Sequence, residues 1–463
     1  MDDFLGRASE IQALERAFSA RGGAFVPIYG RRRVGKTELI RKFLARKPAA
    51  IYVAGQRVPA KLALQELLRV AADALKTPLL AHLAPEGWRA ALLAIEEAWK
   101  GPEKLVLALD EFQWMAEFSP ELPAVLQALW DQRWRDSGRV MLILCGSFIG
   151  FMEREVLGRK APLFGRRTAQ IFLKPFGYRE AALFHPSYSL VDRARTYFIC
   201  GGVPLYLGTF SAARSVEMNI VSSLLDEHAP LHQEAEFLLR EELRDVSNYH
   251  AVLLALAERP MSLTEIGVAV GLGHNVQYHL QQLVQLGYVA RRFPLMAGRP
   301  SKRQVRYVLD DPLLRFWFRF VGPNQSRLRV PGPQATMSQR IRPLLDAYFG
   351  SCFERLCREA LPWLYAREGV GAAFEVGEFW DRDVQIDVVG LRDDGVLDLG
   401  ECKWGAVRSA RALEKELEDK ILRFPNSKNA SVARRVFVRA KAPPPPAGSK
   451  VLWHSLADLY EED

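Results

Sequence analysis

The chain has 463 residues, 49% of them apolar and 25% charged, with a net charge of +9. That length provides for roughly two to four domains, and the composition excludes wholesale disorder. Five scattered cysteines, none in a C-x-x-C pair, argue against a disulfide framework and a zinc site; the absence of a basic-then-apolar leader or an apolar run of about 18 residues predicts a cytoplasmic protein with no membrane partner.

Phe4-Leu5-Gly6-Arg7 precedes a helix with Ile11, Leu14 and Phe18 on one face, where Gly6 and Arg7 would cover a nucleotide base. Phe25 to Tyr29 is an apolar run fit for a buried strand. Gly30-Arg31-Arg32-Arg33-Val34-Gly35-Lys36-Thr37 then satisfies G-x-x-x-x-G-K-[ST] at every fixed position. Such a loop turns backbone N–H groups onto phosphates, its lysine (Lys36) reaches the β and γ phosphates of ATP, and the Thr37 hydroxyl ligates Mg2+. Glu38 opens a helix whose Leu39, Ile40, Phe43 and Leu44 turn inward, so strand, loop and helix N-terminus form an anion site.

Helical stretches then alternate with apolar runs at 50–53, 105–109 and 140–144, which predicts an α/β fold with parallel strands and crossover helices. The second run ends in Asp110-Glu111: Asp110 is assigned to Mg2+ and Glu111 to the base that aligns and deprotonates water. The third run ends in Cys145-Gly146-Ser147, which makes Ser147 a sensor of the γ-phosphate. Arg166, in a basic loop, is the cation for developing phosphoryl charge, in cis or from a neighbouring subunit, so a homo-oligomer through the ATPase domain is a further expectation.

These motifs, F-L-G-R, G-R-R-R-V-G-K-T, L-A-L-D-E, C-G-S and A-P-L-F-G-R-R, together resemble the archaeal-type ATPases of the STAND class, signal-transduction ATPases with numerous domains related to AAA+ ATPases. Gly201-Gly202-Val203-Pro204 matches that family's G-G-x-P motif. The resemblance implies a helical lid over 176–245 whose Gly202 and Pro204 close on the nucleotide.

From residue 246 to 321 three short helices followed by two strands give the order of a winged helix-turn-helix. Its third helix would offer Asn275, Gln277 and His279 to base edges, and its loop would offer Arg299, Lys302 and Arg303 to phosphates. Twelve Lys or Arg stand against two Asp between residues 291 and 342, so DNA is the expected partner. Residues 322–343, rich in Pro and Gly, read as a linker.

Residues 344–463 carry Glu354 on a helix, Asp387 on one strand and Glu401-Cys402-Lys403 on the next. This resembles the D…E-x-K pattern of restriction-endonuclease-like nucleases, in which Glu354 matches an added helical carboxylate. Glu401 and Lys403, two apart on a strand, share a face; Asp387 can join Glu401 around a second divalent metal, Mg2+ or Mn2+, while Lys403 orients water. A two-residue Asp394-Gly395 turn would set Asp387 opposite Cys402, so opposing Glu401 requires a three-residue loop or a bulge. The reading is thus an ATPase domain at 1–175, the lid, the winged helix, a linker and a nuclease-like domain, for Mg-ATP hydrolysis coupled to DNA binding, with DNA cleavage as the sharper expectation. The rival is an ATP-switched signalling protein whose last two domains bind partners without cleaving.

Overall fold

The apolar runs at 25–29, 105–109 and 140–144 become parallel strands buried on both sides, which is where uninterrupted Val, Ile and Leu belong, while the run at 50–53 alternates as an edge strand. The computed structural model describes residues 4–243, 245–296, 304–427, 429–440, 444, 446 and 448–461. It divides into two units, 1–175 and 176–463.

In the first unit β1 (Ala24–Tyr29), β2 (Ala50–Ala54), β3 (Leu105–Asp110), β4 (Val140–Gly146) and β5 (Ile171–Phe172) lie in the order β2-β3-β4-β1-β5. Period-2 alternation divides the side chains between two cores. Val26, Ile28, Val106 and Ile143 meet α1 (Ala8–Ser19) and α2 (Lys36–Leu44). Phe25, Leu107, Leu109 and Leu142 meet α3 (Ala60–Leu75), α4 (Trp88–Ala98), α5 (Phe112–Phe118) and α6 (Leu122–Leu129). Pro27 is tolerated inside β1 for a geometric reason. Phe25 turns its N–H toward Thr168, so Pro27, two residues on, faces the same side, where β5 pairs only from Ile28 onward.

The second unit begins with helices and reaches a three-helix group: α7 (Val246–Glu258), α8 (Leu263–Ala269) and α9 (Val276–Gln285). Ser262 and Glu265 cap α8 reciprocally. An antiparallel hairpin follows, β6 (Val289–Arg292) with β7 (Arg306–Leu309), and Met261 bridges to Tyr307. Arg299, Lys302 and Arg303 lie outside the described residues. The expected linker at 322–343 is instead largely helical: Leu328, Met337 and Ile341 are buried in the unit's main core, while Pro323 and Pro333 sit in first helical turns, where their missing N–H costs nothing. Its prolines punctuate short helices.

The long helix α10 (Arg342–Arg367) packs on a sheet ordered β12-β11-β10-β9-β8. Strands β8 (Phe374–Trp380), β9 (Gln385–Arg392) and β10 (Val396–Lys403) form an antiparallel meander. After α11 (Ala410–Ile421), β11 (Ser431–Val438) and β12 (Val451–Ser455) continue parallel to β10. Below it lies a buried ion cluster: Arg435, 1% exposed, donates to Asp398 at 2.6 Å and to both Glu368 oxygens at 2.6 Å, and Tyr365 donates to Asp398 at 2.6 Å. His454 Nε2 stands 3.1 Å from Arg435 Nη1. Burial first, and then the Arg435 charge, lower His454 from 6.5 to about 4. The unfolded chain therefore takes up this proton first, and the stability present above pH 6.5 is lost as pH falls toward 4. Melts across that range should show a shallower acid slope for His454→Gln than for the parent protein.

Candidate functional site

The phosphate loop joins β1 to α2 through two backbone constraints. Gly30 has φ +155°, and a Cβ there would lie 2.2 Å from the Leu173 carbonyl oxygen; Gly35 caps α2 at φ 90°. Val34 is a core side chain, so its contribution to the loop is backbone. Lys36 is 6% exposed and its ammonium donates to the carbonyls of Gly30, at 3.0 Å, and Arg31, at 2.8 Å. Burial lowers its proton affinity, which Cys145, Glu111 and Asp110 oppose. Arg31, Arg32 and Arg33 are half-buried along the loop, and Glu38 pairs with Arg41 at 3.5 Å.

Because β4 separates β1 from β3, the loop and Asp110 face each other across the carboxyl end of one strand. Thr37 Oγ1 donates to Asp110 Oδ2 at 2.7 Å, and Tyr52 donates to the same oxygen at 2.8 Å. A hydroxyl and a carboxylate this close, with Lys36 beside them, are the oxygen donor set that Mg2+ takes. Glu111 heads α5 in a left-handed conformation, φ 45°, which costs a non-glycine residue about 1–3 kcal/mol and places its carboxylate beside Ser147. Ser147 donates to Glu111 Oε2 at 2.7 Å, and Gln113 donates to the same oxygen and to Ser147 Oγ. Tyr52 and Gln113 were not foreseen. Tyr52 carries a faint signal, a hydroxyl in the apolar run beside the strand of Asp110; Gln113 carries none.

Arg7 and Arg166 are each held by protein partners. Arg7 donates to the carbonyls of Val34, at 3.1 Å, and Lys174, at 2.7 Å, so together with the turn at Gly6 it fastens the loop. Arg166 forms a two-pronged pair with Asp131 at 2.7 and 2.8 Å and donates to the Pro162 and Phe164 carbonyls. In the second unit a Cβ on Gly202 would meet the Phe176 carbonyl at 1.8 Å, and Phe176 donates back to Gly202 at 2.8 Å, so a backbone crossing requires this glycine. Pro204 starts the Pro204–Thr209 helix.

On α9, Val276, Leu280 and Leu283 are buried, while Asn275 and Gln277 are exposed beside Tyr278. His279 is turned back: its Nδ1 lies 3.2 Å from the Asn275 carbonyl and its ring meets Tyr249 edge-on at 4.8 Å. Three of the twelve basic residues counted between 291 and 342 are paired with carboxylates of the same unit. Arg292 pairs with Glu378 and Asp310, Arg319 with Glu258 and Arg342 with Glu217; Arg315 is packed against Tyr348 and Cys352.

In the C-terminal sheet, β9 and β10 pair Leu391 with Leu397 through Val388 with Gly400, and one further step sets Asp387 opposite Glu401. The loop is therefore three residues, 393–395, with Gly395 at φ +81°. Asp387 also accepts the Cys402 N–H at 3.0 Å. Glu354 is raised to about 8 by burial and by Asp387, and Asp387 to about 6 by burial and by Glu401. Glu401, 2% exposed, is clamped by Lys403 at 2.9 Å and Lys420 at 2.5 Å. Among the described residues no group of three His, Cys, Asp or Glu is disposed to hold a metal ion. Nor is any of their helices long and apolar enough to cross a membrane.

Residues 4–210 match a family described as an ATPase domain predominantly from Archaea, and residues 317–415 match a family of archaeal and bacterial proteins of unknown function. An uncharacterized protein of Methanocaldococcus jannaschii is 26% identical over 408 residues, 87% of each chain. An uncharacterized ATP-binding protein of the same organism is 48% identical over 44 residues, 10% of this chain and 75% of its own. Among solved structures, the Walker-type ATPase of Pyrococcus abyssi superposes with a TM-score of 0.54 at 18% identity, over 69% of this chain and 97% of its own. With the loop, Lys36, Thr37, Asp110 and Glu111 brought together at one end of a parallel sheet, the first unit has the fold of the P-loop ATPases and resembles the ATPase-domain family that it matches.

Proposed function

We propose that the chain couples ATP hydrolysis in its first unit to DNA binding by α7–α9 and the β6–β7 hairpin, which act as a winged helix-turn-helix. Lys36 holds the β and γ phosphates. Thr37 and Asp110 hold Mg2+, which supplies positive charge to the phosphates. Glu111 takes a proton from the attacking water through Oε1, since Oε2 is committed to Ser147 and Gln113. Release of Arg166 from Asp131 is inexpensive, because surface ion pairs are worth only about 0.2–1 kcal/mol, so the arginine stays available for developing phosphoryl charge.

The observation that carries the DNA reading is the start of α9, where Asn275 in the preceding turn and Gln277 in the first turn are exposed on a helix anchored by three buried side chains. Amides of this kind form bidentate bonds to adenine in the major groove. Gln277→Ala is expected to weaken duplex binding by about 1–3 kcal/mol at a preferred site, measured by fluorescence anisotropy, with ATP turnover unchanged. An affinity indifferent to Gln277 would move the partner from DNA to protein and favour the signalling reading. With three of the twelve counted cations paired to carboxylates, the salt slope should be shallower than their number alone would give.

Metal-dependent cleavage is a second reading, favoured by the direct opposition of Asp387 and Glu401. As arranged, the two lysines on Glu401 do not fit a cation there, so no step is derived through one. Incubating supercoiled and branched DNA with Mg2+ or Mn2+ settles the matter: nicking lost in Glu401→Ala establishes a nuclease, and binding without nicking leaves a recognition domain.

A further inference from the structure

Within the second unit a cavity of 440 Å³ opens between the β6–β7 hairpin, one face of α10 and strands β8 and β9. That volume lies in the range of small-ligand sites, about 300–1,000 Å³, and is too small for a duplex. Six arginines line it (259, 292, 306, 315, 319 and 358) against three glutamates (258, 354 and 378), an excess of three positive charges.

Four of the arginines are accounted for. Arg292 and Arg358 share Glu378, Arg259 bonds Glu265 at 2.8 Å, and Arg319 pairs with Glu258. The other two have no carboxylate in ion-pair contact among the described residues. Arg306 lies 4.8 Å over the Trp380 ring. Arg315 donates to the Cys352 sulfur through Nη2, at 2.6 Å, and lies 5.1 Å over the Tyr348 ring, while its Nε is buried without a hydrogen-bond partner. Guanidinium groups withdrawn from water need an anion, and their forked donors match phosphate oxygens. Apolar Leu256, Val308 and Leu344 also line it, Val308 on the same face of β7 as Arg306.

We propose that this cleft binds a nucleotide unit, its phosphate ester held by Arg306 and Arg315 and its base set against the wall of Leu256, Val308 and Leu344. The unit comes either from a free nucleotide or from a single nucleic-acid strand. In the strand case the inference rests on the DNA reading above, and it adds a place for one strand beside Glu354, which lines the same cleft.

The test uses the full chain with its phosphate loop saturated by ADP. One arm measures anisotropy of a labelled oligothymidylate; the other measures calorimetric binding of adenosine and cytidine monophosphates. Arg306→Gln, and separately Ser351→Glu on an exposed turn of α10 at the cavity wall, should weaken whichever probe binds by ~10-fold or more. Oligothymidylate binding sensitive to both variants assigns the cleft to a strand. Sensitivity confined to the monophosphates assigns it to a free nucleotide. Failure of both probes to bind, or binding unmoved by both variants, overturns the proposal. Duplex affinity, read through Gln277→Ala, stays separate, so this cleft and the α9 reading can fail independently.

Discussion

Lys36→Ala is expected to lower ATP turnover by roughly 10²- to 10³-fold, the scale of losing one preorganised donor to developing charge. The ammonium is already aimed: two loop carbonyls hold it 2.8 and 3.0 Å away, so phosphate meets a charge that needs no reorganisation. Alanine removes that charge and leaves the Gly30 and Arg31 carbonyls facing the loop. Phosphate release should therefore collapse while the melting temperature moves little, because the lost hydrogen bonds and the relieved burial of a charge oppose each other. Lys36→Arg should not rescue, since a planar fork does not fit a position only 6% exposed. Undiminished turnover in the alanine variant would remove this loop from the catalytic account.

A loss of about 3–5 kcal/mol is expected for Arg435→Met, read by denaturant unfolding of the second unit. The methionine fills comparable space, yet Asp398, 1% exposed, loses the guanidinium bonded to it and is left with Arg392 3.9 Å away, while Glu368 loses both of its Arg435 bonds. Removing one partner from a buried pair is costly, whereas removing all the charges together is far less so. Arg435→Met with Asp398→Leu should accordingly recover part of the loss. ATP turnover serves as the control that the first unit has kept its fold; an Arg435→Met melt equal to the parent's would mean that water reaches Asp398.

The parallel sheet and the phosphate loop were legible because their determinants are local: continuous apolar runs, glycines at fixed spacing, a carboxylate at a strand end. Strand β11 was missed, since Arg434 and Arg435 interrupt its apolar pattern, and only the structure reveals that Arg435 points into an acidic core. The linker reading of 322–343 failed because Pro and Gly mark helix starts as readily as loops, and the burial of Met337 and Ile341 depends on partners distant in sequence. Charge counting leaves out where each cation points. A basic stretch advertises polyanion binding where its charges face water, and Arg292 and Arg319, both largely covered, face carboxylates instead.

The three-residue loop between β9 and β10 has a bearing on how the C-terminal domain can change. Strand faces alternate residue by residue, so the parity of that loop decides whether Asp387 looks at Glu401 or at Cys402. Gaining or losing one residue at the far tip of the hairpin would force one strand to turn its apolar side outward or would part the two carboxylates, while a change of two would leave both faces as they are. A surface loop with no chemistry of its own thus acts as a counting device for a site at the opposite end of its strands.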